Sequence, residues 1–227
     1  MGGNQNEKKS SVYDESKIKT LSSLEHIRLR TGMYIGRLGD GTNQNDGIYI
    51  LLKEVVDNAI DEFIMGNGTQ IEVEVKENTV KVRDYGRGIP LGKLVECVSV
   101  INTGAKYNDD VSVGLNGVGT KAVNALSSHF RVVSVREGKL AEAIFERGKL
   151  ISERNGTVKP GIKDGTFVEF TPDTEVFGPY SFNQEFIERR MWNYAYLNSG
   201  LLIKYNGNEY VSENGLLDLL NSEIEGE

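Results

Sequence analysis

The segment 48–64 combines a helical apolar repeat with a polar face that carries acidic and amide side chains. Apolar residues recur there at spacings of three and four, which predicts an amphipathic helix over 48–64. Positions four and three apart share one side of such a helix. The polar residues on that side are Glu54, Asn58 and Asp61, with Asp57 and Glu62 close by.

Four carboxylates on this face have only Lys53 beside them. Carboxylates at this spacing repel one another unless a cation or a proton lies among them. An Asn in their midst suits Mg²⁺, which takes few protein oxygen ligands and keeps water and phosphate as the others. The spacing alone leaves a solvated helix face and a metal or catalytic site both open.

A second candidate is Asp84, at the end of a predicted strand. Val80, Val82 and Asp84 point to one face, so a carboxylate ends a row of apolar side chains. It either caps the following turn or accepts a hydrogen bond from a ligand amine. The next residues, Gly86-Arg87-Gly88-Ile89-Pro90, favour a ligand, because glycines permit close approach and Ile-Pro forms an apolar wall.

A third candidate is the glycine-rich stretch Gly114-Leu-Asn-Gly-Val-Gly119, which leads into a predicted helix. Amides at such a junction suit phosphate. The stretch is not a Walker A loop, because Thr120-Lys121 stands where Lys-Ser/Thr is required, and it lacks the Rossmann glycine order. Asp164-Gly165-Thr166, before a predicted strand, is by itself an ordinary turn.

The remaining pattern predicts an α+β sandwich with a mainly antiparallel or mixed sheet covered by helices, without the crossovers of a Rossmann sheet. Residues 30–42 are expected to form a loop, and 1–17 a flexible arm. The predicted helices are 21–30, 48–64, 91–101, from the glycine cluster to about 128, 183–197, and a Leu-rich one at the end. The predicted strands are 71–75, 80–84, 131–136, 141–146, 149–153, 166–170 and strand-like 201–211.

Composition excludes several classes of protein. Asp and Glu number 33 against 26 Lys and Arg, so a net charge of -7 argues against a broad DNA-binding face. The single cysteine, Cys97, excludes an internal disulfide framework and fits a reducing cytoplasm. No apolar run is long enough to span a bilayer, so a cytoplasmic protein is expected.

The order of these motifs resembles the GHKL ATPase superfamily, whose two-layer sandwich is known as the Bergerat fold. Within it, four stretches look like the B subunits of bacterial type II topoisomerases. The compact segment from Pro90 to Lys106 resembles the ParE-type B subunit of topoisomerase IV more than that of gyrase, which stays an alternative beside another GHKL ATPase. The four stretches are Ile18-Lys-Thr-Leu21, Arg30-Thr-Gly-Met-Tyr-Ile-Gly36, Glu54-Val-Val-Asp-Asn-Ala-Ile-Asp-Glu62 and Gly114-Leu-Asn-Gly-Val-Gly119.

The resemblance implies ATP and Mg²⁺ as ligands and a role for each matching residue. Glu54 would be the general base toward the water that attacks the γ-phosphate, and Asn58 would hold Mg²⁺. Asp84 would accept a hydrogen bond from the adenine amine, with Thr166 on the same edge. The other implied nucleotide-site residues are Asp61, Arg87 at the pocket mouth, Gly88, Ile89 and Pro90 in the base pocket, and Lys106, Leu115, Asn116, Gly117, Val118 and Gly119 at the phosphates.

The resemblance also implies partners and a domain division. Tyr13 would belong to an arm over 1–17 that embraces a second B-type protomer, and 18–227 would be the ATP-binding domain of a longer protein. That protein would act on duplex DNA with the A-type partner ParC, whereas this piece alone is expected to be monomeric, not to bind DNA, and to accept adenine-pocket inhibitors. Asn116 stands where the family usually has His, and the lid loop between Lys106 and Gly114 is short.

Overall fold

The computed structural model describes residues 21–101 and 117–225, which form one mixed sheet with helices packed on it. The strands are β1 Gln70–Lys76, β2 Thr79–Asp84, β3 Ser127–Arg136, β4 Lys139–Glu146, β5 Lys149–Thr157, β6 Gly165–Pro172, β7 Leu202–Tyr205 and β8 Asn208–Tyr210. The helices are α1 Ser23–Leu29, α2 Thr31–Ile35, α3 Gly47–Ile64, α4 Leu94–Ser99, α5 Gly119–Ala125, α6 Thr174–Phe177, α7 Gln184–Leu197 and α8 Leu216–Glu225.

The eight strands lie in the order β5-β4-β3-β6-β2-β1-β7-β8. Every neighbouring pair is antiparallel except β1 and β7, which run parallel. The predicted mixed, mainly antiparallel α+β sandwich is therefore confirmed. The strand β6 lies between two hairpin-connected groups, β3 to β5 on one side and β1 with β2 on the other.

The strand register aligns the residues of the sheet's inner face across three strands. Val168 of β6 lies opposite Val82 of β2 and opposite Val132 of β3. Two residues further along, Thr166 lies opposite Ser134 on that face. Since alternate residues of a strand share a face, Asp84 belongs to the same row.

The long helix α3 packs across this inner face and supplies much of the core. It contacts β1, β2 and β6, as its predicted apolar stripe requires. Ile48, Leu51, Leu52 and Val56 on the stripe are fully buried. Together with the inward residues of the sheet they form one continuous hydrophobic cluster, which fixes the opposite, polar face of α3 in place.

Several boundaries differ from the sequence-based expectation. Thr31–Ile35 is a short helix where a loop was expected, and it is capped by the following residue, Gly36, whose φ of 66° suits glycine. The helix expected over 91–101 is a 3-10 turn followed by α4, which ends at Ser99. The helix after the glycine cluster ends at Ala125, because β3 already begins at Ser127.

The start of α1 shows why the chain turns helical there. The Ser22 hydroxyl accepts a hydrogen bond from the Glu25 amide, and the Glu25 carboxylate accepts one from the Ser22 amide. This capping box satisfies two amides that the helix itself leaves unpaired. Over 21–101 and 117–225, no helix has the length and hydropathy needed to cross a membrane.

Candidate functional site

The polar face of α3 lies against the first turn of α5. A Cβ placed on Gly119 would lie 1.9 Å from the Glu54 Oε2 atom, so any larger residue there would have to displace the Glu54 carboxylate. The Asn58 amide nitrogen donates to the Glu54 carbonyl at 2.6 Å and to the Thr120 hydroxyl at 3.0 Å. The first turn of α5, at the end of the glycine-rich stretch, thus lies in contact with Glu54 and Asn58.

Glu54 lies in an environment that disfavours its charge. Burial raises the pKa of Glu54, with Lys53 lowering it and Asp57 raising it further. A carboxylate with a raised pKa in a half-buried position is a stronger proton acceptor than one in water. The position therefore suits a group that takes a proton from a bound reactant.

Asp84 ends β2 on the inner face and is almost completely buried. Its Oδ1 atom accepts hydrogen bonds from the Gly86 amide at 2.9 Å and from the Thr166 amide at 3.0 Å. Burial raises the pKa of Asp84, and these two amides oppose the rise. In the described part of the chain no group donates to Oδ2, so that atom is able to accept a further hydrogen bond.

The loop after Asp84 is held close to the sheet. Gly88 has a φ of 71°, and a Cβ there would lie 2.7 Å from the Val135 carbonyl oxygen. The Ser134 hydroxyl donates to the Ile89 carbonyl at 2.6 Å, and Arg136 donates to the Gly88 carbonyl at 3.1 Å. Ile89 packs on the core while Pro90 is exposed, so the loop forms an edge with an apolar inner side.

Arg87 is tied to the last turns of α3. Its backbone amide donates to Glu62 Oε2 at 3.0 Å, and its guanidinium donates to the two carboxylate oxygens at 3.2 Å each. Its side chain is half exposed beside the loop. From Glu54 to Glu62, α3 therefore runs from the α5 contact to the Arg87 loop, a distance of about 12 Å along the helix.

The expectation that four carboxylates crowd one face with only Lys53 as a partner is wrong for two of them. Asp57 turns away from the α5 contact, toward α7: it pairs with Lys53 and accepts a hydrogen bond from the Tyr194 hydroxyl at 2.8 Å. Glu62 pairs with Arg87. Tyr194 and Arg87 lie far from their partners in sequence, so the helix pattern could not show them.

Asp61 and the end of the glycine stretch are placed as follows. Asp61 is 1% exposed on α3, one turn after Asn58. Gly117 has a φ of 57°, and Val118 precedes α5 and packs against the core. Four candidate residues lie outside the described residues: Tyr13, Lys106, Leu115 and Asn116.

Two residues at this site were not singled out from the sequence: Thr120, which accepts from Asn58, and Ser134, which donates to the Ile89 carbonyl. Gly165, taken by itself as part of an ordinary turn, leaves room for the Asp84 backbone, since a Cβ there would lie 2.3 Å from the Asp84 carbonyl oxygen. The position of Thr120 directly after the glycine stretch was the available signal. Ser134 gave none, because its role depends on strand pairing.

In the described residues, no group of three or more His, Cys, Asp or Glu side chains is arranged to hold a metal ion. A site with few protein ligands, in which phosphate supplies the others, remains compatible with the Asn58 environment.

Comparison with known proteins places this geometry in a family. Residues 43–176 match the family described as histidine kinase-, DNA gyrase B- and HSP90-like ATPase. The B subunit of DNA topoisomerase 4 from Borreliella burgdorferi is 64% identical over 222 residues, which cover 96% of this chain and 37% of that protein. The B subunit of DNA gyrase from Campylobacter jejuni is 38% identical over 208 residues, covering 86% of this chain and 26% of that protein.

A solved structure shares the fold. The crystal structure of the 43K ATPase domain of Thermus thermophilus gyrase B in complex with an aminocoumarin superposes with a TM-score of 0.76 at 32% identity, covering 91% of this chain and 56% of that one. The two curated relatives extend well beyond the part that this chain matches. On the family match, the shared fold and the sequence identities, the chain belongs to the histidine kinase-, DNA gyrase B- and HSP90-like ATPases.

Proposed function

We propose that this chain is the ATP-binding domain of a topoisomerase IV protein of the ParE type. In the longer protein it would operate a nucleotide-driven clamp for passing one DNA duplex through another. The 64% identity to the Borreliella burgdorferi topoisomerase 4 protein, against 38% to the Campylobacter jejuni gyrase protein, favours topoisomerase IV over gyrase. The arm with Tyr13, a second ParE-type protomer, ParC and duplex DNA belong to this proposal.

One observation carries the nucleotide assignment: Asp84 uses Oδ1 for two backbone amides and keeps Oδ2 for a ligand. An acceptor at the end of an apolar strand selects a base with an exocyclic amine, as in adenine. Thr166 lies on the same edge, since its amide binds the same carboxylate. Gly88, Ile89 and Pro90 line the adjoining side, and Arg87 lies at the mouth.

The residues at the α3–α5 contact suit the phosphate end. Glu54 has the raised pKa of a proton acceptor and would take a proton from the attacking water. The side-chain nitrogen of Asn58 makes two hydrogen bonds, which fix the orientation of the amide. The side-chain oxygen of Asn58 has the chemistry of a Mg²⁺ ligand. Mg²⁺ bound there would neutralise charge on phosphate oxygens, which is the main contribution of metals in phosphoryl transfer.

The other predicted site residues have positioning or contact roles in this proposal. Asp61 would complete the polar face beside Asn58. Gly117, Val118 and Gly119 would offer backbone amides to the phosphates, together with Leu115 and Asn116, and Lys106 would contact them from the lid.

Titration calorimetry on the chain with Mg²⁺ tests the nucleotide assignment. ATP and adenosine should both bind, whereas GTP should not, because guanine presents a carbonyl oxygen where adenine presents an amine. Equal affinity for GTP and ATP would contradict the role given to Asp84.

The topoisomerase assignment needs a separate experiment on the longer protein with its A-type partner. ATP-dependent decatenation without negative supercoiling is the expected result. Negative supercoiling would instead support the gyrase alternative, and neither activity would refute both.

A further inference from the structure

The contact between α3 and α5 tolerates little displacement. Gly119 lies so close to Glu54 that a single added carbon would overlap the carboxylate, and Thr120 is within hydrogen-bond distance of Asn58. A shift of α5 along its axis would therefore change both contacts. Something in the fold must fix where α5 lies.

The opposite end of α5 is held by Arg28 of α1. One guanidinium nitrogen of Arg28 donates to the carbonyl of Ala125, the last residue of α5, at 2.8 Å. The other terminal nitrogen donates to Asp173 Oδ2 at 2.8 Å. A planar guanidinium can make both bonds in a fixed geometry, which an ammonium cannot.

Asp173 is a rigid anchor for that guanidinium. It is fully buried, its Oδ1 caps α6 by accepting from the Glu175 amide at 3.1 Å, and its backbone amide donates to the Leu126 carbonyl at 2.9 Å. Burial disfavours its charge, but hydrogen bonds from Arg28 and Arg147, with that cap, hold the pKa of Asp173 below its usual value. The carboxylate thus stays charged and fixed.

Packing at this end of α5 is equally tight. Gly148, in the turn between β4 and β5, has a φ of 77°, and a Cβ there would lie 3.1 Å from the Leu24 Cβ and 3.4 Å from the Ala125 Cα. Three elements therefore meet around Ala125 with no spare room. Packing alone does not orient α5. The hydrogen bond from Arg28 does, because it is made to the Ala125 carbonyl at the end of the helix.

We propose that Arg28 is a positioning residue for the ATP site, which sets the placement of α5 against Glu54 and Asn58 through the Ala125 carbonyl. The inference rests on the proposed function, because it assumes that these two side chains serve the phosphate end of the nucleotide. Arg28 acts on them only through α5. The hydrogen bonds described around Asp84 do not involve α5. The base pocket should therefore not depend on the contacts of Arg28.

The chain contains a matched control. Arg147 binds the same Asp173 oxygen at 3.0 Å and also pairs with Glu175, but its side-chain hydrogen bonds within the described residues do not reach α5. Arg28→Gln and Arg147→Gln each remove one cation from Asp173 and leave the other. The difference between the two variants isolates the bond from Arg28 to Ala125.

The measurement is calorimetric affinity for a non-hydrolysable ATP analogue with Mg²⁺ and, separately, for adenosine. We expect Arg28→Gln to bind the analogue about 5-fold or more weakly than Arg147→Gln, a size typical of coupling through packed elements. Adenosine affinity should stay within about twofold across the wild type and both variants. Arg28→Lys, which keeps the charge without the fork, should fall between the wild type and Arg28→Gln.

The outcomes separate this inference from the proposed function. If the wild type fails to bind the analogue, the proposed function fails first. If the wild type binds and the two Gln variants lose affinity equally, or adenosine affinity falls in step with analogue affinity, Arg28 only stabilises the fold and the inference is overturned. Should Arg28→Gln not fold, Arg28→Lys against Arg147→Lys carries the same comparison.

Discussion

Replacing Asp84 by Asn changes the site in a way that the structure defines atom by atom. The amide oxygen of Asn can still accept from the Gly86 and Thr166 amides, which now bind Oδ1 at 2.9 and 3.0 Å. The amide nitrogen then stands where Oδ2 stood. It presents a donor to the adenine amine, which is itself a donor.

The expected loss follows from that mismatch. A hydrogen bond to a charged acceptor is worth about 1.5–3 kcal/mol, and leaving donors unsatisfied in a buried site costs about 1–3 kcal/mol more. A total of about 2.5–6 kcal/mol corresponds to a roughly 60- to 20,000-fold weaker affinity for ATP. Calorimetry measures this affinity, with Asp164→Asn as the control, since the Asp164 carboxylate accepts from the Glu137 amide and does not face the pocket.

The same substitution should not destabilise the fold. The raised pKa of Asp84 determines how the stability difference between the variant and the wild type changes with pH. Burial raises the pKa of Asp84, so the folded chain keeps that proton to higher pH than the unfolded chain. The stability of the wild type therefore falls as pH rises from about 4, the unfolded value, through the raised folded value. Asn carries no such proton, so the melting temperature of Asp84→Asn relative to wild type should increase from pH 4 to pH 7. Wild-type affinity for ATP in a folded Asp84→Asn variant would refute the adenine assignment.

Four further expectations concern the rest of the domain. Glu54→Gln should keep ATP affinity but lose about 10²–10⁴-fold in hydrolysis in the longer protein, measured by phosphate release, and undiminished turnover would assign the base elsewhere. Gly119→Ala should displace the Glu54 carboxylate and impair hydrolysis without lowering thermal stability, because Ala favours a helix by about 1 kcal/mol over Gly; unchanged turnover would show that the carboxylate moves freely. Tyr194→Phe removes the hydroxyl that donates to buried Asp57 and should cost about 1.5–3 kcal/mol in urea unfolding, whereas an unchanged midpoint would mean that Lys53 suffices. The chain alone, at a net charge of -7, should be monomeric by light scattering and show no salt-sensitive DNA affinity.

Helices and strands were predicted well from the sequence where their apolar residues recur at a regular helical or strand spacing. The apolar repeat of α3 placed its start within one residue of Gly47, and the alternation of β1 and β2 placed Asp84 on the inner face. The short α2 was missed because five residues with two internal turn signals, Thr31 and Gly32, carry too little periodicity. Strand order was beyond local reasoning, since the parallel partner of β1 lies about 130 residues downstream.

Contacts between distant residues limited what the sequence could predict of the site in the same way. The spacing on α3 correctly predicted that Glu54 and Asn58 lie side by side, because residues four apart are neighbours on one face of a helix. It could not show that Asp57 turns to Tyr194, since that partner is 137 residues away and lies on another helix. The family resemblance put Thr166 on the same edge as Asp84, but the helix spacing gave no link between them, because the β2–β6 register brings the Thr166 amide to the carboxylate.

The position of β6 has a consequence for the order in which the domain acquires its pocket. A ribosome releases β1 with β2, then β3 to β5, before Gly165–Pro172 emerges. Without β6 the other strands have no ladder that joins β2 to β3, because β6 is the strand that pairs with both. Its insertion also brings the Thr166 amide to the Asp84 carboxylate. Closing the sheet and completing the surroundings of Asp84 thus depend on the same strand, and we expect a nascent chain that ends before residue 165 to lack the proposed adenine site.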